Sequence, residues 1–102
     1  MKAFNKLVRD RIPEIIKAKG ETPIIRVLGD AEFNSELNKK LEEEVREYLA
    51  DESMEELADV LEVIHGLLLA KNKTFDELES VRKEKAAKRG GFCERIFLER
   101  VE

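Results

Sequence analysis

The segment between Leu57 and Ala70 is apolar on nearly all sides of the helix that its composition predicts. Such a helix needs burial on more than one side, because a surface helix carries its apolar stripe on one face only. A chain of 102 residues forms one domain and can hardly enclose this helix alone. We therefore expect a single domain, residues 1–102, that assembles as a dimer or a dimer of dimers, with Gly66 permitting close helix contact. The other reading is that the remaining helices cover the segment within one chain.

The other helices are predicted from apolar spacing and from capping residues. Apolar residues in the segment 33–49 recur at four- and three-residue steps, which is typical of an amphipathic helix. Ser53 followed by Glu56 has the form of a capping box, which opens the apolar helix. Thr74 with Glu77 repeats this pattern for the last helix. The predicted helices cover about 11–19, capped by Asp10 and with Pro13 in the first turn, about 30–50, about 54–71 and about 75–89.

Two short strands are predicted outside the helices. The segment 24–28 is rich in β-branched residues and is bounded by turn residues, and the tail 92–101 mixes apolar with charged residues after two glycines. Two lone strands are marginal in water, so we expect them to pair, packing on helices or across an oligomer interface. The predicted fold class is mainly α, an antiparallel bundle of about four helices with two short peripheral β-strands.

The net charge and the distribution of apolar residues indicate which partners and which cellular location to expect. Nineteen basic and 23 acidic side chains give a net charge of −4, which does not favour a nucleic-acid polymer or an anionic membrane as partner. Residues 1–5 lack the apolar stretch of a signal peptide, and the apolar band 60–70 is shorter than the ~20 residues that a bilayer requires. We expect a cytoplasmic protein without a membrane or nucleic-acid partner.

Acidic residues of the second and third helices are spaced to form two facing pairs. Glu44 and Glu47 lie one turn apart, as do Glu56 and Asp59. The short turn makes the helices antiparallel, so positions equally distant from it lie level, which sets Glu47 opposite Glu56 and Glu44 opposite Asp59. Four inward carboxylates repel one another and lose hydration unless a cation is bound. Oxygen ligands without His or Cys favour Mg²⁺ or Mn²⁺, and Mg²⁺ typically works on phosphates.

Other readings of these acids stay open. Acidic runs on helices are commonly solvated faces; the capping box alone explains Glu56, and pairing with an exposed Lys or Arg explains Glu47. Asp59 has apolar neighbours, and an Asp in such a position is rarely buried unless it is paired. Its partner is either a metal or a hydrogen-bond donor. A non-enzymatic helical oligomerisation or binding module is the corresponding alternative function.

At these residues the sequence resembles the MazG-like, all-α nucleoside triphosphate pyrophosphohydrolase superfamily. The motif EExxE followed by ExxD is present as 43–47 and 56–59, and the flanks 5–13 and 85–92 look like a small branch of house-cleaning pyrophosphatases. The resemblance implies Mg²⁺-dependent cleavage of a nucleoside triphosphate between its α and β phosphates, giving a monophosphate and pyrophosphate. The superfamily includes phosphoribosyl-ATP pyrophosphohydrolases, and the metal motif does not separate these two activities.

The resemblance also implies roles for individual acidic residues. Glu43 is close enough to act as an outer ligand or base, and Glu43 and Glu44 are the candidate catalytic residues. The implied ligands of Mg²⁺, or of Mn²⁺, are Glu44, Glu47, Glu56 and Asp59.

Basic residues are the candidates for binding the nucleotide. Lys40 matches the family lysine one turn before the glutamates. Lys85 and Arg89 share one face of the last helix and are expected to hold the polyphosphate, and Arg9 is a further candidate of the same kind. The other reading of the basic residues on the last helix is a solvated C-terminus favoured by the helix dipole.

Overall fold

The structure is a computed structural model that describes residues 2–102. The mainly α fold is confirmed, with four helices within the described residues. No helix in that range is long and apolar enough to cross a bilayer.

The chain divides into two compact units, the first ending at Asn72 and the second beginning at Lys73. The organisation of residues 1–102 as a single domain stays a prediction. The helices are α1 Ile12–Ala18, α2 Asp30–Asp51, α3 Met54–Ala70 and α4 Phe75–Arg89.

Side-chain caps fix the beginnings of α3 and α4 where the sequence places them. The Ser53 hydroxyl accepts a hydrogen bond from the Glu56 amide at 3.2 Å. Thr74 accepts from the Glu77 amide at 3.1 Å, and Glu77 accepts in return from the Thr74 amide at 3.3 Å, which completes a capping box. The capping box at Ser53 is incomplete, because the carboxylate of Glu56 does not accept a hydrogen bond from the Ser53 amide. That carboxylate is therefore available for another role.

The short helix α1 begins later than its sequence indicates. Its N-cap is Arg11, without a side-chain cap bond, and the prediction of Asp10 as the cap is wrong. Pro13 occupies the first turn, as predicted, since its missing N–H is not needed there. The chain leaves the helix through Gly20, whose φ of +84° suits a residue without a Cβ.

The second and third helices form a hairpin. They are joined by Glu52, which has a left-handed φ of +53°, and by the N-cap Ser53. Among residues 2–102 the buried apolar side chains are Leu37 and Val63, which are 4% and 7% exposed. Leu37 packs against Gly66, with its Cδ2 2.8 Å from the position that a Cβ there would occupy. Close helix contact at Gly66, which we expect from the sequence at a dimer interface, occurs instead between α2 and α3 of one chain.

The two predicted strands are wrong, since residues 2–102 contain no strand. In the segment 21–29 Arg26 reaches α2 instead, donating to both carboxylate oxygens of Glu32 at 2.9 and 2.6 Å. In the tail, Arg95 has a φ of +61° and its amide donates to the Phe92 carbonyl at 3.1 Å, a turn that interrupts an extended run. A strand is held by hydrogen bonds to a second strand, and neither segment has one.

Much of the apolar surface of the hairpin faces solvent. Leu61 of α3 is 45% exposed and Leu49 of α2 is 66% exposed. Within the first unit, α1 and α2 therefore leave this outer face of α3 uncovered. The exposed apolar residues of the hairpin, called here the outer stripe, are Val45, Leu49, Met54, Leu57, Leu61 and Leu69.

Candidate metal centre

Three carboxylates converge where α2 and α3 meet. Glu44, Glu56 and Asp59 each offer one oxygen, and these oxygens all lie within 4.8 Å of one another. Glu44 comes from α2 and the other two from the beginning of α3, so the short hairpin turn brings them together. A cation with bonds of about 2.0–2.6 Å joins ligand oxygens at up to about twice that distance. The spacing therefore suits one hard divalent cation.

Two of these carboxylates carry buried oxygens that lack partners. Glu44 is only 8% exposed. The Oε2 atoms of Glu44 and Glu56 are buried, and no group within residues 2–102 donates a hydrogen bond to them. Unpartnered buried carboxylate oxygens cost free energy, and protein interiors normally satisfy them. An oxygen-ligated cation such as Mg²⁺ or Mn²⁺ fits this donor set, and it would give these atoms the partner that the chain does not.

Two carboxylates of the cluster have raised pKa values, as expected for acidic groups that are buried close together. Burial raises the pKa of Glu44, and the charges of Glu47 and Asp59 raise it further. Burial likewise raises the pKa of Glu56, again with contributions from Glu47 and Asp59. Both shifts mean that the ionised forms are disfavoured in the metal-free protein. A cation bound here would reverse that preference.

Asp59 has a protein partner as well. Arg9 Nη2 donates to Asp59 Oδ1 at 2.7 Å, and the Asp59 side chain is 39% exposed. A hydrogen-bond donor and a metal were alternative partners for this Asp, and the donor is present. The sequence predicts Arg9 only as a phosphate ligand, and its ion pair with Asp59 is not among the predicted contacts. No local pattern signals it, because the two residues are 50 positions apart.

The remaining acidic candidates lie at the edge of the cluster. Glu47 is exposed and outside the group of three, although its charge acts on two members of that group. It makes no ion pair with any described residue, so the reading as a partner of a surface Lys or Arg is not realised. Glu43 pairs with Lys40, whose Nζ lies 3.4 Å from Glu43 Oε2 and 3.9 Å from Glu44 Oε1.

The basic candidates are divided between the two units. Lys40 and Arg9 belong to the first unit and contact the cluster directly. Lys85 and Arg89 lie on α4, in the second unit, and both are exposed. Their role in binding a polyphosphate stays a prediction.

Comparison with known proteins yields one partial relative and no function. An uncharacterized protein of Mycolicibacterium smegmatis (strain ATCC 700084 / mc(2)155) is 58% identical over 45 residues. The match covers 44% of this chain and 46% of that protein, so it spans less than half of the relative's length. No family model and no solved structure matches the chain.

Proposed function

We propose that this chain is a divalent-cation-dependent nucleoside triphosphate pyrophosphohydrolase, the activity that its EExxE and ExxD motifs imply. The observation that carries the proposal is the cluster of Glu44, Glu56 and Asp59, with its two unpartnered buried oxygens. A solvated acidic face would not bury such atoms, and a capping role would turn Glu56 back toward Ser53. The preferred cation is Mg²⁺, with Mn²⁺ as a substitute.

Each residue of the centre has a defined part in this reaction. The three carboxylates would hold the cation, whose positive charge would offset charge on the phosphate oxygens and favour loss of a proton from the attacking water. The water oxygen bonds to the α-phosphorus, and the bond from the α-phosphorus to the bridging oxygen breaks, so pyrophosphate leaves with that electron pair. Glu43, or Glu44 beside it, accepts the proton of the water. Lys40 neutralises charge on the phosphate side.

Substitution of Asp59 by Asn tests the activity. We expect the wild type to release pyrophosphate from one or more members of a nucleotide panel that includes phosphoribosyl-ATP, only when Mg²⁺ or Mn²⁺ is present. Asp59→Asn should lose this activity, because the amide replaces an anionic ligand. Glu62→Gln is the matched control, since it neutralises an exposed carboxylate on the same helix. A wild type indifferent to Mg²⁺ and inactive on the whole panel would favour the non-enzymatic oligomerisation module.

We also propose that the enzyme works as a dimer or a dimer of dimers. The accessible surface of the chain is 9564 Å², about 3,600 Å² more than a folded monomer of 11.8 kDa exposes. Obligate dimers commonly bury 2,000–5,000 Å² in total. That total is shared by two chains, so a second copy on the outer stripe would cover about 1,000–2,500 Å² of each chain, which is part of this surplus.

Sedimentation of a charged variant tests the assembly. Leu61→Glu places a charge in the outer stripe and should shift the wild-type oligomer to monomer at micromolar concentration. Ala87→Glu, on the exposed surface of α4, is the control and should leave the oligomer unchanged. A wild type that sediments as a stable, folded 11.8 kDa monomer contradicts the proposal.

A further inference from the structure

A cleft lies beside the metal centre, between the N-terminal arm (residues 2–11) and α2. Its volume is about 180 Å³. Asn5, Lys6 and Leu7 form the arm side, while the α2 side presents residues at helical spacing on one face, among them Lys39 and Lys40. We call this space the arm cleft. Of the residues of the metal motif, only Glu43 lines it.

The charges of the arm cleft leave one cation unneutralised. Lys39 Nζ lies 3.3 Å from Glu36, and Lys40 Nζ lies 3.4 Å from Glu43, so both carboxylates of the cleft are already paired. Within residues 2–102, no carboxylate lies within 4 Å of Lys6. The ammonium of Lys6 lies 5.8 Å from the centre of the Phe4 ring, which does not cancel its charge. An anion that enters the cleft therefore meets a net positive wall.

The arm cleft and the metal centre share residues. Lys40 lines the cleft and also lies 3.9 Å from Glu44 of the carboxylate cluster. Arg9, three residues after Lys6, ties the arm to Asp59 at 2.7 Å. The arm is thereby held across both sites, and a ligand bound at the carboxylates can extend past Lys40 into the cleft.

We propose that the arm cleft binds the pyrophosphate end of the substrate, with Lys6 as a direct phosphate ligand and Arg9 as the residue that positions the arm. This inference rests on the proposed function, because it assigns the β and γ phosphates of the same nucleotide to the cleft while the α phosphate lies at the cation. Ammonium groups here neutralise the charge that develops on the leaving pyrophosphate. The first unit then supplies its own phosphate-binding cations, independently of Lys85 and Arg89.

Calorimetric titration with inorganic pyrophosphate and Mg²⁺ tests the arm cleft without any hydrolysis. Lys6→Ala should weaken pyrophosphate binding about tenfold, the scale of one charge-assisted hydrogen bond. Lys6→Arg should restore most of the affinity, because it keeps the charge. Lys2→Ala, which removes a lysine of the same arm that does not line the cleft, is the matched control and should bind as the wild type does. A nucleoside monophosphate, which lacks the β and γ phosphates, should bind equally to all four proteins.

The outcomes separate this inference from the proposed function. If pyrophosphate affinity falls in Lys6→Ala and not in Lys2→Ala, the result supports phosphate binding in the arm cleft. This holds even if the protein cleaves no nucleotide of the panel. If the enzyme releases pyrophosphate and Lys6→Ala keeps the wild-type pyrophosphate affinity and KM, the proposed phosphate binding in the arm cleft is wrong. The proposed hydrolytic activity is not affected by that result. A wild type that binds no pyrophosphate, or equal losses in Lys6→Ala and Lys2→Ala, also overturns it.

Discussion

Leu37 of α2 lies directly over Gly66 of α3, with its Cδ2 2.8 Å from the position of a Cβ on that glycine. These residues are equally distant from the hairpin turn, and so are Glu44 and Asp59. One helix register therefore sets both the apolar contact and the carboxylate cluster. A change in the Leu37 contact is expected to disturb the metal centre seven residues further along α2.

Gly66→Ala should destabilise the protein. Its methyl group meets the most buried side chain of the described chain, and overpacking of this kind costs about 1–3 kcal/mol. The better helix propensity of Ala returns up to about 1 kcal/mol. Urea unfolding measures the difference. In a Leu37→Ala background the same substitution should be neutral or stabilising, and a loss of equal size in both backgrounds would contradict the contact.

Glu56→Gln should stabilise the metal-free protein and weaken its response to Mg²⁺. Burial and the charges of Glu47 and Asp59 disfavour the ionised Glu56, so a neutral side chain relieves both costs. With Mg²⁺ the same change removes an anionic ligand, and metal affinity should fall at least about tenfold. Thermal melts with and without Mg²⁺ measure the two effects, which have opposite signs.

The control for this variant is Glu55→Gln, which removes an exposed charge at the neighbouring position. Its melts should follow those of the wild type in both conditions. If Glu56→Gln behaves in the same way as Glu55→Gln, the metal site is not at Glu56.

The stability of the metal-free protein should fall as the pH rises toward neutrality. The pKa values of Glu44 and Glu56 are raised above 4.5, so the folded state keeps protons that the unfolded chain has lost. Their contribution is complete below that value and is lost as the pH passes through the raised pKa values. Stabilisation by Mg²⁺ should grow over the same range, because the cation binds the ionised carboxylates. Urea titrations at several pH values, with and without Mg²⁺, check both slopes.

Thr74→Ala should loosen the beginning of α4. It removes the hydroxyl that accepts from the Glu77 amide, and loss of such a cap costs about 1 kcal/mol. Hydrogen exchange of the first-turn amides of α4 should become faster. Thr22→Ala, in the irregular segment before α2, should leave that exchange unchanged.

Sequence periodicity predicts the parts of this molecule that depend on near neighbours. The spacing 33–49, the caps at Ser53 and Thr74 and the short turn between the helices are local signals, and together they predict the hairpin and its register. They also bring together Glu44, Glu56 and Asp59, three of the four carboxylates expected to converge, whereas Glu47 lies outside the group.

Contacts between distant segments are not predictable in that way. The arm returns to the hairpin through the Arg9–Asp59 pair, which depends on how the chain folds back over 50 residues. The strand predictions failed because propensity describes a segment, whereas a strand also requires a partner. In the tail, a left-handed residue at Arg95 interrupts the extended run, and no residue type there signals it.

All three carboxylates of the cluster lie between positions 44 and 59, on two helices with a minimal connection. Contacts this close in sequence form early, because little loop entropy is lost in closing them. The acidic cluster is therefore expected to assemble during folding before the arm docks. A nascent hairpin would then already present its carboxylates, so Mg²⁺ is expected to speed refolding as well as to stabilise the finished protein.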